Sequence, residues 1–191
     1  MRKRALLLFG FFLGMLVLRL SFAFQSQSFS DDQAYFTLRQ ITHILQHGIP
    51  FFNDPLSFGG REHFFSPVFY YILAFFGLFI PTELVLKIMP NFLILLLIPS
   101  TFLLAYELTK DKNAAFAAAL VSAFIPVLFR TTLNDASPYS FLIPLSFFLF
   151  YCYLKAAKLP FFFLYFSALL LISLEPVIPL LFLPFFALYW L

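Results

Sequence analysis

Apolar residues dominate this chain in long runs, and its polar residues gather in a few short islands between them. Runs at Ala5–Phe24, Leu84–Leu108, Ala114–Phe129, Tyr139–Leu154, Pro160–Leu174 and Val177–Leu191 each predict a bilayer-crossing helix. In hydrocarbon a backbone has only its own groups to bond to, and a helix satisfies them all. A further run, Phe64–Ile80, has 17 residues. That is the lower limit for crossing about 30 Å of hydrocarbon at about 1.5 Å per residue. Whether it crosses reverses the side of every later loop.

Charge chooses between the two topologies. If Phe64–Ile80 does not cross and the amino end is cytoplasmic, then Arg2, Lys3, Arg4, Lys110, Lys112, Lys155 and Lys158 all face the cytoplasm. Asp31, Asp32, Asp54, Glu62, Glu83, Asp135 and Glu175 all face outward. If it does cross, Lys110, Lys112, Lys155 and Lys158 are translocated, against the positive-inside preference. The run is therefore read as a helix lying in or dipping into the outer leaflet. Residues 25–83 become one long external loop that holds all three histidines.

Composition narrows the class. With 62% apolar and 11% charged residues, the chain lacks the polar surface to coat a soluble domain, so the expectation is an all-α polytopic membrane protein of about six spans. A net charge of +3 spread over scattered basic residues gives nucleic-acid binding no support. Cys152, the single cysteine, excludes a disulfide framework or a cysteine metal site. The 32 phenylalanines read as lipid-facing bulk. Arg2–Arg4 ahead of an apolar run, with Ser21-Phe22-Ala23 behind it, also fits a cleavable signal peptide. Because everything downstream is membrane-embedded as well, the run is read as a retained first helix, with Arg19 snorkelling to the interface near its outer end. Residues 1–191 read as one transmembrane domain, the amino-terminal portion of a longer protein, since the chain stops at Trp190-Leu191 without a polar exit from its last span.

Two polar islands carry the candidate chemistry. The first is SDDQAYFTLRQITHILQHG, Ser30 to Gly48. Ser30 with Gln33 fits a capping box, and Gly48 a helix stop. Ala34, Leu38, Ile41 and Leu45 recur at helical spacing, a stripe suited to lying on the membrane, while Asp32, Phe36, Arg39 and His43 form another. The plain reading of Asp31 and Asp32 is that they complement the helix dipole, worth about 0.3–1 kcal/mol each. The sharper one is a surface carboxylate that holds a hard divalent cation or takes a proton. His43 and His47, four residues apart, are candidate transition-metal ligands or ordinary interfacial histidines. Asn53-Asp54-Pro55 and Gly59-Gly60 are turn chemistry first, a backbone cradle second. The second island is FRTTLNDASPY, Phe129 to Tyr139, on the same outer side. Its Arg130 and Asp135 form either a solvated loop with a local ion pair or, with the first island, a place for a metal-bridged phosphate.

The order of these segments resembles the GT-C superfamily of lipid-linked sugar transferases, in particular the catalytic subunit of oligosaccharyltransferases. SDDQAYFTLR after the first span is similar to that family's acidic motif in its first external loop. NDPLSFGGREHFFSP resembles the lead into a membrane-embedded helix of the same loop, and AAFAAALVSAFIPVLFRTTLND resembles an alanine-rich span ending in Arg-Ser/Thr before a second acidic motif. The likeness covers roughly residues 5–158. It implies that Asp32 binds a divalent metal, Mn or Mg, and contacts the acceptor, that Arg130 binds the donor phosphate, and that Asp135, two positions early, either substitutes as the second ligand or leaves that ligand missing. Arg39, Arg61 and His63 are the candidate acceptor or loop contacts. The chain departs where the family carries its second acid, about seven residues after the arginine, because Ser137 stands there. The family's later metal ligand and its soluble carboxyl-terminal domain have no counterpart in the chain.

The expected activity is transfer of a sugar or oligosaccharide from a polyprenyl-phosphate-linked donor to a protein or lipid acceptor, on the extracytoplasmic face. The alternative is a non-enzymatic membrane protein whose external loop docks a partner or lipid.

Overall fold

Helix α1 (Arg2–Ala23) forms along the first apolar run, with no acidic residue among its 22. It is the first element of a computed structural model that describes residues 2–54, 61–62 and 67–155. The expected spans Pro160–Leu174 and Val177–Leu191 lie outside the described residues, as do His63, Lys158 and Glu175.

After α1 come α2 (Asp32–His47), the short pairing of β1 (Asn53–Asp54) with β2 (Arg61–Glu62), and α3 (Val68–Gly77). Then follow α4 (Thr82–Leu95), α5 (Leu97–Thr109), α6 (Lys112–Ala123), α7 (Pro126–Thr132) and α8 (Tyr139–Leu154). Apart from that one two-residue ladder, the described chain is all-helical. Helices α4 and α5 run almost without a break, as do α6 and α7. Among the described residues, three helical stretches are long and apolar enough to cross a membrane: Leu6–Ala23, Thr82–Thr109 with 28 residues, and Lys112–Arg130 with 19. They coincide with the first three expected spans, an architecture compatible with an integral membrane protein. The fourth expected span forms α8 with the expected limits. Among the described residues, the ambiguous run forms the ten residues of α3, about 15 Å of helix and half the hydrocarbon thickness.

Local chemistry explains the joints. Lys110 takes the left-handed conformation (φ 56°) at the end of α5, and Asp111 caps α6 by accepting from the amides of Asn113 (2.9 Å) and Ala114 (3.3 Å). That two-residue turn folds α6 back along α5. Ala115, Ala119 and Ala123 are buried at four-residue spacing, so the alanine-rich segment presents a smooth face to its neighbours. Pro126, lacking an amide, separates α6 from α7 and occupies the first turn of α7, where no donor is needed.

Two packed regions result. One joins α2, α3, α4 and α8 around Ile41, Phe69, Leu73, Leu86 and Leu142; the other joins α1 to α4, α5 and α6 around Met15, Ile98 and Ala119. The first corrects the expectation for α2. Ala34 and Ile41 are fully buried, and Leu38 and Leu45 pack on the same cluster, so the stripe meant for the membrane faces protein. The reason is α3, which offers an apolar partner from within the same loop.

Candidate functional site

The start of α2 is held by three separate contacts. Asp31 is the cap: its carboxylate accepts from the Asp32 amide at 2.7 Å. This corrects the capping box expected from Ser30, by one position. The Ser30 amide is used elsewhere, donating to the Asn134 carbonyl at 3.2 Å. One turn into α2, the buried Thr37 hydroxyl bonds the Gln33 carbonyl at 2.9 Å and lies 3.3 Å from the Ala136 carbonyl. The two polar islands therefore meet, with Asn134–Ala136 laid along the first turns of α2.

At the junction Asn134 adopts the left-handed conformation (φ 55°) that asparagine tolerates better than most residues. It is buried, and its Oδ1 has no hydrogen-bond partner among the described residues. Asp135 Oδ1 is likewise unpartnered. Burial, and secondarily the charge of Asp31, raise the Asp135 carboxyl to about 6. Two hard oxygens without partners beside a capping carboxylate are a donor chemistry that suits Mg or Mn better than a softer metal. Among the described residues, no three His, Cys, Asp or Glu side chains converge to form a complete cation cage.

The other expected residues are placed as follows. Asp32 is the first residue of α2 and exposed; Arg130 is exposed in the last turn of α7. Ser137 is buried two residues before α8. Its hydroxyl accepts from the Tyr139 amide (3.4 Å), and its carbonyl accepts from the Ser140 hydroxyl (2.8 Å). Arg39 stacks its guanidinium over the Phe51 ring at 5.6 Å. Gln40 clamps that same segment, giving and taking a hydrogen bond with the Phe51 backbone at 2.8 Å each. Gly48, at φ 77°, makes the reversal that brings Phe51 back onto α2. Arg61 pairs through its backbone with Asp54; His63 lies outside the described residues. The rings of His43 and His47 stack at 4.3 Å, and each Nδ1 faces a backbone carbonyl (Ile49 and His43). That is a packed pair, with both Nδ1 atoms already engaged.

Sequence reasoning missed a second polar centre. Arg19, expected to snorkel, is buried: Nε donates to Asn91 Oδ1 at 2.9 Å, Nη2 to Thr132 Oγ1 at 2.5 Å, and the guanidinium lies 4.5 Å from the Phe129 ring centre. Asn91 in turn donates to the carbonyl of Lys87, also buried, whose Nζ reaches the Ser26 carbonyl at 2.5 Å. Helices α4 and α7 shield Arg19 from the interface, so it bonds inward. The signal was present as Lys87 and Asn91 four residues apart within an apolar run, one face of one helix.

No protein-family model, curated protein or solved structure matches the chain.

Proposed function

We propose that the chain is a GT-C-type glycosyltransferase, like the transmembrane part of an oligosaccharyltransferase catalytic subunit. It would move a sugar or oligosaccharide from a polyprenyl-phosphate-linked donor to a protein or lipid acceptor. The observation that carries this reading is the meeting of the two acidic islands, through the Ser30–Asn134 and Thr37–Ala136 contacts. Two segments far apart in sequence, each holding a residue that the resemblance singles out, run beside one another.

In this proposal the amino end is cytoplasmic, about six spans cross, and residues 25–83 form the external loop, with α3 in the outer leaflet. Asp32 and Asp135 would hold the Mn or Mg ion, which when bound neutralises charge on the departing phosphate. Asp31 keeps the helix start. Arg130 would grip the donor phosphate with its planar fork, for which a lysine is a poor substitute. Asp32 would also orient the acceptor hydroxyl or amide that attacks the anomeric carbon as the sugar–phosphate bond breaks.

The test is transfer activity of the full chain, titrated separately with metal and with lipid-linked donor. Asp32→Asn should lose about a hundredfold or more, while Asp31→Asn keeps most activity. Equal tolerance of both changes, at equal expression, would return the pair to dipole complementation. A second reading, an external loop that only docks lipid or a partner, is favoured by the exposure of Phe75, Leu78 and Phe79 at the end of α3. Chelating divalent metal should leave a docking function intact and stop transfer.

A further inference from the structure

Around Asn91, the described residues place two cations and no matching anion. Arg19 and Lys87 are both buried, and neither meets a carboxylate among the described residues. Their partners are all neutral: the Asn91 amide, the Thr132 hydroxyl, the Ser26 carbonyl and the faces of Phe129, Phe24 and Phe29. Arg19 uses two of its five N–H donors and Lys87 one of its three. Asn91 bonds the Arg19 guanidinium but only the backbone carbonyl of Lys87, so the two cations are held separately. Each is a buried charge with neutral partners, an unfavourable arrangement unless an anion joins it.

We propose that this centre binds the phosphate of a bilayer phospholipid. Depth argues for a lipid source, because Arg19 lies four residues before the end of a helix long enough to cross a membrane. That puts it at about the level of a headgroup, roughly 6 Å inside the last residue. Access is on the Lys87 side, where the Ser26 carbonyl and the Phe24 and Phe29 rings cover the ammonium. The Ser26 hydroxyl donates to the Ser28 carbonyl at 3.0 Å, and the Ser28 hydroxyl, 3.2 Å from it on that turn, is a further donor for phosphate oxygens. Phe24, about half exposed, supplies an apolar wall for the acyl chains. A phosphate there takes up the spare donors of Lys87, which exchanges the Ser26 carbonyl for an anionic oxygen, and its charge also offsets that of Arg19 on the neighbouring helix. The inference goes beyond the transferase reading, because such a site would serve a docking protein equally well.

The experiment uses the full chain, purified in detergent with its lipid stripped, and follows binding by native mass spectrometry and thermal unfolding. The probes are dioctanoyl phosphatidylglycerol, dioctanoylglycerol and inorganic phosphate. Phosphatidylglycerol alone should bind at one copy and raise the unfolding temperature. Lys87→Met should weaken that binding by about thirtyfold or more, and Lys87→Arg should keep it. Equal binding of dioctanoylglycerol would overturn the proposal in favour of an acyl groove, and inorganic phosphate acting alone would overturn the lipid source. If Lys87→Met does not fold, a phosphatidylglycerol carrying a diazirine beside its phosphate decides with the unaltered chain. Crosslinks at residues 24–29 or 87 support the site, and crosslinks confined elsewhere refute it.

Discussion

A carboxyl drawn partly out of water beside a second carboxylate keeps its proton longer than one in solution. Asp135 is such a group, raised to about 6 by burial and then by Asp31. The folded chain therefore holds a proton that the unfolded chain has released between about pH 4 and about pH 6, so stability falls as pH rises through that window. Asp135→Asn should flatten this slope and raise stability at neutral pH. Thermal unfolding of the full chain across that range measures it; an unchanged slope in the variant would assign the titration to another group. Arg19 illustrates a different asymmetry. Asn91→Leu leaves the guanidinium without its Nε partner and should cost about 1.5–3 kcal/mol, whereas Arg19→Met removes the charge along with its needs and should cost less. Unfolding midpoints in sodium dodecyl sulfate rank the two variants, and the reverse order would mean that Arg19 is satisfied from elsewhere.

At the scale of elements, the small face of α6 makes the sharpest claim. Ala119 is fully buried in the region shared with α1, α4 and α5, while Val121, two residues on, is largely exposed. Ala119→Leu should force the helices apart at about 1–3 kcal/mol, and Val121→Leu should change stability by less than about 0.5 kcal/mol. Comparable losses from both would mean that Val121 also meets a partner. Helix α2 shows how an element takes its role from its neighbours. Its amphipathic spacing was readable, yet the same stripe suits a membrane surface or a protein groove equally well, and α3 decided between them. The cap moved by one residue for a similar reason. Ser30 and Asp31 are both competent caps, and the Ser30 amide was claimed by Asn134.

For the whole molecule, the proposed topology places both ends of the Phe64–Ile80 run on one side. Asn53→Cys and Glu83→Cys, each in a Cys152→Ser background, should then be labelled by an impermeant reagent from the same, outer face. Labelling from opposite faces would reverse every later loop and separate the acidic islands. The divisions of α4 from α5 and of α6 from α7 were not foreseen. Among the described residues, the helical character of the apolar runs was legible in the sequence, because it depends on neighbours within a few residues, and α8 formed with the limits its run implied. The stop at Gly48 and the composition of the two islands were legible for the same reason. Their meeting was not. Thr37 and Ala136 stand 99 residues apart, Arg19 and Asn91 72, Arg19 and Thr132 113. Such contacts depend on which helix faces pack together, and nearly uniform apolar surfaces say little about that in advance. A polar residue inside a hydrophobic run has only two remedies, to reach the interface or to find polar partners within the bundle. Sequence alone poses that choice for Arg19; the packing of α4 and α7 around it made the second the one taken.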